Sequence, residues 1–223
     1  MTKSIIVFIP LAQDSKFEMW SLRMAQEFAS SGKKTLFFEA DRKSSILHRF
    51  KKLGCKGDII SVLKRENTLN QIIQKTPAAP KLSIIWGNTS GKDISVLNDA
   101  DMSVMASDLA IMMNDYDCTI IKCSTFDLAN LTPCFEENTK IVLLITPNPD
   151  CAENVVKIAG IVKKASYIPQ IWLKIIGKEY PSQDLRIFQR LKNAVGLSEF
   201  NFFQSENDSI NQKLLQSSEQ TTA

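Results

Sequence analysis

The chain has 223 residues, a length for roughly one to two domains, of which one is expected. Apolar residues make up 44% and charged residues 23%, the composition of a globule and not of a disordered chain. Twenty-seven basic against 24 acidic residues leave +3, too small an imbalance to indicate a nucleic-acid partner. Apolar runs of about eight residues fall far short of the roughly 20 that cross a bilayer.

The first apolar run, SIIVFI (4–9), follows Lys3 and could pass for a short signal peptide. It runs into Gln13-Asp14 and an amphipathic pattern with no small-residue cleavage site, so a buried strand is expected. A helix is predicted over 17–31 from Trp20, Met24 and Phe28 at i, i+4, i+8, with Gly32 placed to end it. Further strands are predicted at 34–39, 82–86, 118–122, 140–146 and 169–176. Helices are predicted at 98–114, where Met102, Met105, Leu109 and Met112 form a core stripe, and at 152–164 and 182–195. None of the strands alternates cleanly, as one with a wet face would. Strand-helix alternation with right-handed crossovers predicts an α/β fold of three layers, a mostly parallel twisted sheet with helices on both faces. One domain is expected over 1–205. A polar tail over 206–223 is expected to be partly helical, around 208–216, or disordered.

Cys55, Cys118, Cys123, Cys134 and Cys151 are odd in number and show no ligand spacing, which points to free, mostly buried thiols in a reducing cytoplasm. Trp20, Trp86 and Trp172 suit a core. Asp99, Asp101, Asp115 and Asp117 suit capping and turns. His48 is the only His, so a His-based metal centre is not expected, and no Ser/His/Asp nucleophile arrangement can be argued around it.

Ligands of such sheets sit beyond the carboxyl ends of the strands, so the first strand-to-helix turn, Pro10 to Glu18, is where chemistry is expected. The unit IIVFIPLAQDSKFEMWSLRMAQEFASSGKKTLFFEAD resembles the opening of the MinD/ParA family of deviant Walker-A ATPases. In that family a strand leads into G-K-G-G-V-G-K-T, then a helix, S-G-K-K and a strand ending in D-x-D. The resemblance continues through S-I-L-H-R-F (45–50) and G-D-I-I-S-V-L-K-R-E-N-T-L-N-Q-I-I-Q (57–74). It extends to D-Y-D-C-T-I-I-K (115–122), I-T-P-N-P-D (145–150), R-I-F-Q-R-L (186–191) and F-N-F-F (200–203). W-G-N-T-S-G-K-D-I-S-V-L-N (86–98) is similar to a stretch of the flagellar-number regulators, the FlhG-like branch.

The resemblance implies a P-loop NTPase-like fold whose phosphate loop has degenerated. Leu11, Ala12, Gln13, Asp14, Ser15, Lys16, Phe17 and Glu18 fall on that loop. A phosphate loop needs glycines for its nest of N–H groups, a Lys for charge and a Ser/Thr for Mg²⁺. Here Ala12 and Phe17 replace the two lysines, Glu18 replaces the Thr, and no Gly lies between Ile9 and Glu18. Asp14 opposing a phosphate at about 4 Å costs about 4 kcal/mol at an effective dielectric near 20. Glu39 and Asp41 fall on the D-x-D. The Walker-B aspartate falls on Lys122, which cannot ligate Mg²⁺, and the following switch reads C-S-T-F (123–126) without its acid. Lys122 is expected to pair with Asp14 or Asp41, filling the phosphate corner with protein charge. The alternative is that Lys16, one position from a lost lysine, or Lys122 reaches a phosphate from a new direction.

The implied protein is a non-catalytic pseudo-ATPase without cofactor or metal. It would act as a regulatory or scaffolding partner in the positioning or assembly of a cell-envelope machine such as the flagellum. Protein partners are expected: a related intact ATPase or GTPase, or a second copy of the chain. Specific nucleic acid is not expected. The location implied is cytoplasmic, with membrane contact borrowed from a partner. The basic run R-K-S-S-I-L-H-R-F-K-K, with Arg42, Lys43, His48, Arg49, Lys51 and Lys52, reads as a solvated helical face or as a contact patch for an acidic partner or membrane surface. The alternative functions are a nucleotide-binding ATPase with a rearranged loop and a polysaccharide-export kinase-like adaptor. The adaptor branch uses a Tyr-rich tail, whereas no Tyr follows Tyr180 here.

Overall fold

In the computed structural model the chain runs from β1 (Ser4–Pro10) through α1 (Ser15–Ser30) to β2 (Thr35–Glu39). Two short helices, α2 (Ile59–Leu63) and α3 (Leu69–Ile72), precede the hairpin of β3 (Gln74–Thr76) and β4 (Ala79–Ile85). Then come α4 (Asp99–Met112), β5 (Cys118–Lys122), a 3₁₀ segment Leu128–Cys134, β6 (Thr139–Ile145), α5 (Pro149–Val162), β7 (Gln170–Ile175) and β8 (Phe200–Phe203). The structure describes residues 3–11, 15–42, 45–46, 55–89, 99–145, 149–167, 169–175 and 200–203, with 15–18, 149, 175 and 200–203 by backbone alone. The predicted helix at 182–195 and the tail lie outside these residues.

The eight strands form one sheet in the order β3-β4-β2-β5-β1-β6-β7-β8. All pairs are parallel except β3–β4. This is the predicted α/β architecture. The antiparallel edge is an addition to it, because Gln-Lys-Thr is too short and polar to read as a strand. Its turn is set by Pro77, whose fixed φ suits the first central position of a tight turn.

Period-2 geometry divides the strand residues between two cores. Ile5, Val7, Leu36, Phe38, Ile121 and Leu143 join α2, α3, α4, α5 and the 3₁₀ segment on one face. Ile6, Phe8, Phe37, Ile120 and Leu144 join α1 on the other. Both sets are almost wholly buried, which is why the strand sequences are apolar throughout. Full burial of each such Ile, Leu or Phe contributes about 1.5–3 kcal/mol. Helix α1 ends as predicted. Gly32 has φ +95°, its N–H donates to Ala29 O at 3.1 Å, and Lys33 N–H donates to Phe28 O at 3.2 Å, a Schellman closure.

The chain crosses from β1 toward β2 but from β6 toward β7, the opposite direction. With a constant crossover hand this places α1 and α5 on opposite faces. The reversal falls between β1 and β6, and in such a sheet a ligand sits in the crevice beyond the carboxyl ends of the strands near it, with β5 on the other side of β1.

Candidate functional site

Two strands bring charge beside this crevice. Glu39 ends β2 and Lys122 ends β5, and the two are register partners in the β2–β5 ladder, so both point to the α1 side of the sheet. Lys122 Nζ lies 2.9 Å from Glu39 Oε1 and 3.8 Å from Asp41 Oδ2. Side-chain exposure is 3% for Lys122 and 0% for Glu39. Of the two expected partners of Lys122, Asp41 is within ion-pair range and Asp14 lies outside the described residues. Glu39 is the nearer partner and Asp41 the farther one. Glu39 wins because it is directly opposite in register, whereas Asp41 lies past the strand end.

The Glu39 carboxylate is fully used. Oε1 accepts from Ile46 N–H at 2.8 Å and from Lys122 Nζ. Oε2 accepts from the Ser45 hydroxyl and from Gly87 N–H at 3.2 Å. An ionised carboxylate offers about four lone-pair sites, so none remains for a metal. Mg²⁺ requires oxygen ligands at close octahedral range, and an ammonium group already occupies this carboxylate. The Glu39 carboxylate therefore has no position left for a magnesium ion. No group of His, Cys, Asp and Glu among the described residues could hold a metal elsewhere. Ala12, Gln13 and Asp14 lie outside the described residues, and Ser15, Lys16, Phe17 and Glu18 are described as backbone in the first turn of α1. Leu11, just before them, holds β6 by donating its N–H to Leu144 O at 2.8 Å.

A second charged node lies beside the first. Arg42 was expected on an exposed basic face, but it is only 3% exposed. Its Nε donates to Asp127 Oδ1 at 2.6 Å and its Nη2 to Asp99 Oδ1 at 3.0 Å, and its guanidinium lies 4.8 Å from the Phe126 ring centroid. The correction has a simple cause: the chain turns inward after β2, and a buried guanidinium is satisfied by carboxylates from distant segments. Lys43, His48, Arg49, Lys51 and Lys52, the rest of that patch, lie outside the described residues. Asp127 also accepts from the Ser124 hydroxyl at 2.8 Å. Burial pushes its carboxyl above the ordinary range, against the lowering effect of Ser124 and Arg42.

The loop after β4 is tied to the same corner. Asn88 is fully buried, its N–H donating to Asp41 O at 3.1 Å and its side-chain amide to Arg42 O at 2.9 Å. Thr89 donates from N–H (2.9 Å) and hydroxyl (2.6 Å) to Asp58, which also caps α2 through Ile60 and Ser61. Ser45, Gly87, Asn88 and Asp127 were not singled out from sequence. Only Asp127 carried a signal, an acid immediately after the C-S-T-F segment.

Among the smaller expectations, Trp86 and Trp172 are buried, and Trp20 packs edge-on to Phe8 at 5.4 Å. All five cysteines are free, four of them buried. Asp117 serves turn chemistry by accepting from Lys34 N–H at 2.8 Å. No helix among the described residues is long and apolar enough to cross a membrane.

The fold is the P-loop-NTPase-like α/β fold seen in MinD and in plasmid partition proteins. A plasmid partition protein from Borrelia burgdorferi shares the fold with a TM-score of 0.68 and 19% identity, over 98% of this chain and 97% of that one. The septum site-determining protein MinD from Pyrococcus horikoshii, complexed with Mg-ADP, has a TM-score of 0.64 and 15% identity over 83% and 77%. The MinC:MinD cell division complex of Aquifex aeolicus has 0.62 and 10% over 96% and 86%. No family model and no curated protein matches the chain.

Proposed function

We propose that this protein is a non-catalytic relative of the MinD/ParA ATPases, with a degenerate phosphate loop, and that it works by binding other proteins. The carrying observation is the buried Lys122–Glu39 pair at the carboxyl ends of β5 and β2. Two solved structures of this fold hold nucleotide, one bound to AMPPNP and one to Mg-ADP. In this chain an ammonium paired with a saturated carboxylate stands at the ends of β5 and β2, which supports the reading. Its role is regulatory or scaffolding, in positioning or assembly of a cell-envelope machine. The stretch at 86–98 favours the FlhG-like, flagellar branch. The MinC:MinD complex is a precedent for a protein of this fold acting through a protein partner. The partner here is a related intact ATPase or a second copy of this chain.

Titration calorimetry with ATP, ADP and GTP in the presence of Mg²⁺ tests the loss of nucleotide. No binding tighter than about 100 μM is expected. Tighter binding that disappears in Lys16→Ala favours the rearranged-loop ATPase instead. Affinity purification with identification of co-purifying proteins tests the role, and recovery of an intact relative or an assembly component is the expected result. The kinase domain of VpsO, with a TM-score of 0.53 and 17% identity, keeps the kinase-like adaptor as the second reading.

A further inference from the structure

We infer that the groove between the α2–α3 turn and the outer face of α4 is a docking site for a protein segment that carries an apolar side chain flanked by lysine or arginine. Asp101, Val104, Met105 and Asp108 lie at i, i+3, i+4 and i+7 and so form one stripe along α4. Leu63 and Leu69 face this stripe across a groove of about 370 Å³. That is near the lower end of the roughly 300–1,000 Å³ of ligand pockets, room for the anchor side chains of a peptide more than for a cofactor.

The groove has an apolar floor and an acidic rim. Met105, Leu63 and Leu69 are buried beneath it, while Val104 on its wall is 63% exposed. Glu66, Asp101 and Asp108 set three carboxylates around that valine against one guanidinium, Arg65. Arg65 meets Asp101 at 3.8 Å and is 87% exposed, a solvent-screened pair that leaves the rim with more acidic than basic groups. Helix α4 itself carries three Asp and no Lys or Arg. Asp99 and Asp101 stabilise its N-terminus, but Asp108 lies in the second half and gains nothing from the helix dipole.

Arg65 has φ +62° at the position after the α2 cap, and the bonds from its N–H to Val62 O at 2.8 Å and from Glu66 N–H to Ser61 O at 2.8 Å close the helix as a Schellman turn that sets one lip of the groove. The complementary partner therefore supplies positive charge to the rim and an apolar side chain to Val104, in the manner of a helix laid in a groove. This inference is independent of whether nucleotide binds, since none of these residues borders the crevice pair.

The test is amide chemical-shift mapping of the full chain against a synthetic Leu/Lys amphipathic peptide of about four helical turns. A Leu/Glu peptide of the same pattern is the control. The expected result is saturable shifts confined to residues 62–71 and 101–108, weakened about tenfold by Val104→Lys or Asp108→Lys and by raised salt, with no response to the Leu/Glu peptide. Both substituted positions are exposed, so the variants keep the fold, as the unchanged remainder of the spectrum will show. Shifts centred elsewhere, equal affinity for the Leu/Glu peptide, or affinity indifferent to both variants would overturn the proposal. A chain that is dimeric by light scattering and becomes monomeric in Val104→Lys assigns the groove to a second copy, and this too overturns it.

Discussion

Arg42 Nε donates to Asp127 Oδ1 across 2.6 Å, with side-chain exposures of 4% and 1%, and so joins the exit of β2 to the segment after β5. The same arginine reaches Asp99 at the start of α4. One cation thus holds three segments that meet only in the folded chain. Together with Glu39, which gathers Ser45, Ile46, Gly87 and Lys122, it fastens the rim of the crevice.

The Arg42–Asp127 contact has a pH signature. Burial raises the folded-state pKa of Asp127 above its ordinary 3.8, and Ser124 and Arg42 oppose that rise. The folded chain therefore holds this proton more tightly than the unfolded chain. As pH falls from the raised value toward 3.8 the group adds stability, and above the raised value its penalty is constant. Arg42→Met removes two lowering influences and moves this window to higher pH. Urea unfolding at pH 7 and pH 5 is expected to show the variant recovering stability on acidification relative to the native chain, with a difference in slope of up to about 1.4 kcal/mol per pH unit. Parallel profiles would contradict the assignment.

Lys122→Met strands the Glu39 carboxylate without its counter-charge. A loss of about 3–5 kcal/mol is expected, because breaking one half of a buried pair leaves a desolvated charge. In thermal unfolding this is a fall of about 10 °C for a chain of this size. The double variant Glu39→Gln/Lys122→Met is expected to regain most of the loss, which a double-mutant cycle reads directly. A single variant as stable as the native protein would show that the pair carries no structural weight.

Thiol chemistry separates Cys55 from the other four cysteines. Burial pushes Cys118 and Cys134 up to about 12 and Cys123 well above its ordinary value. Cys151 is buried at the start of α5. Cys55 is half-buried. Titration of the native protein with a disulfide reagent at pH 8 is expected to modify Cys55 alone, and all five cysteines in denaturant. Rapid labelling that survives Cys55→Ser would contradict this pattern of burial.

Backbone substitutions test the α2 region against a neutral control. A Cβ at Gly57 would lie 2.6 Å from Ile72 Cγ2, so Gly57→Ala is expected to cost about 1–3 kcal/mol by overpacking. A Cβ at Gly160 in α5 would meet nothing within 4 Å, so Gly160→Ala is expected to stabilise by about 0.5–1 kcal/mol. Arg65→Gly relieves a left-handed conformation worth about 1 kcal/mol and is expected to raise the unfolding midpoint. Urea midpoints at constant m-value check all three signs.

Much of the scaffold was legible. The apolar runs at 4–9 and 118–122 lie within β1 and β5, and the Met102, Met105, Leu109 and Met112 stripe is buried as its spacing implied. Periodicity recovers such elements because burial repeats with the backbone. It missed β3 and the 3₁₀ segment Leu128–Cys134, which are short and have no period of their own. The candidate site was legible as a set of replaced residues, but its pairings were only partly so. The expected Lys122–Asp41 pair is present at 3.8 Å, but the nearer Glu39 partner is not foreseen, and Arg42, expected on a solvated face, is buried.

By itself, the order of residues determined the alternation of strands and helices, the Gly32 stop, and the absence of glycine between Ile9 and Glu18. Local steric preference and hydrophobic spacing act within a few residues, so they can be read from a single segment. Only the tertiary structure decided that Lys122 answers Glu39 from 83 residues away and that Arg42 is buried against Asp127. Electrostatic pairing depends on distance in space, and strand order sets that distance. Nothing in the local pattern of either segment encodes which strand lies beside it.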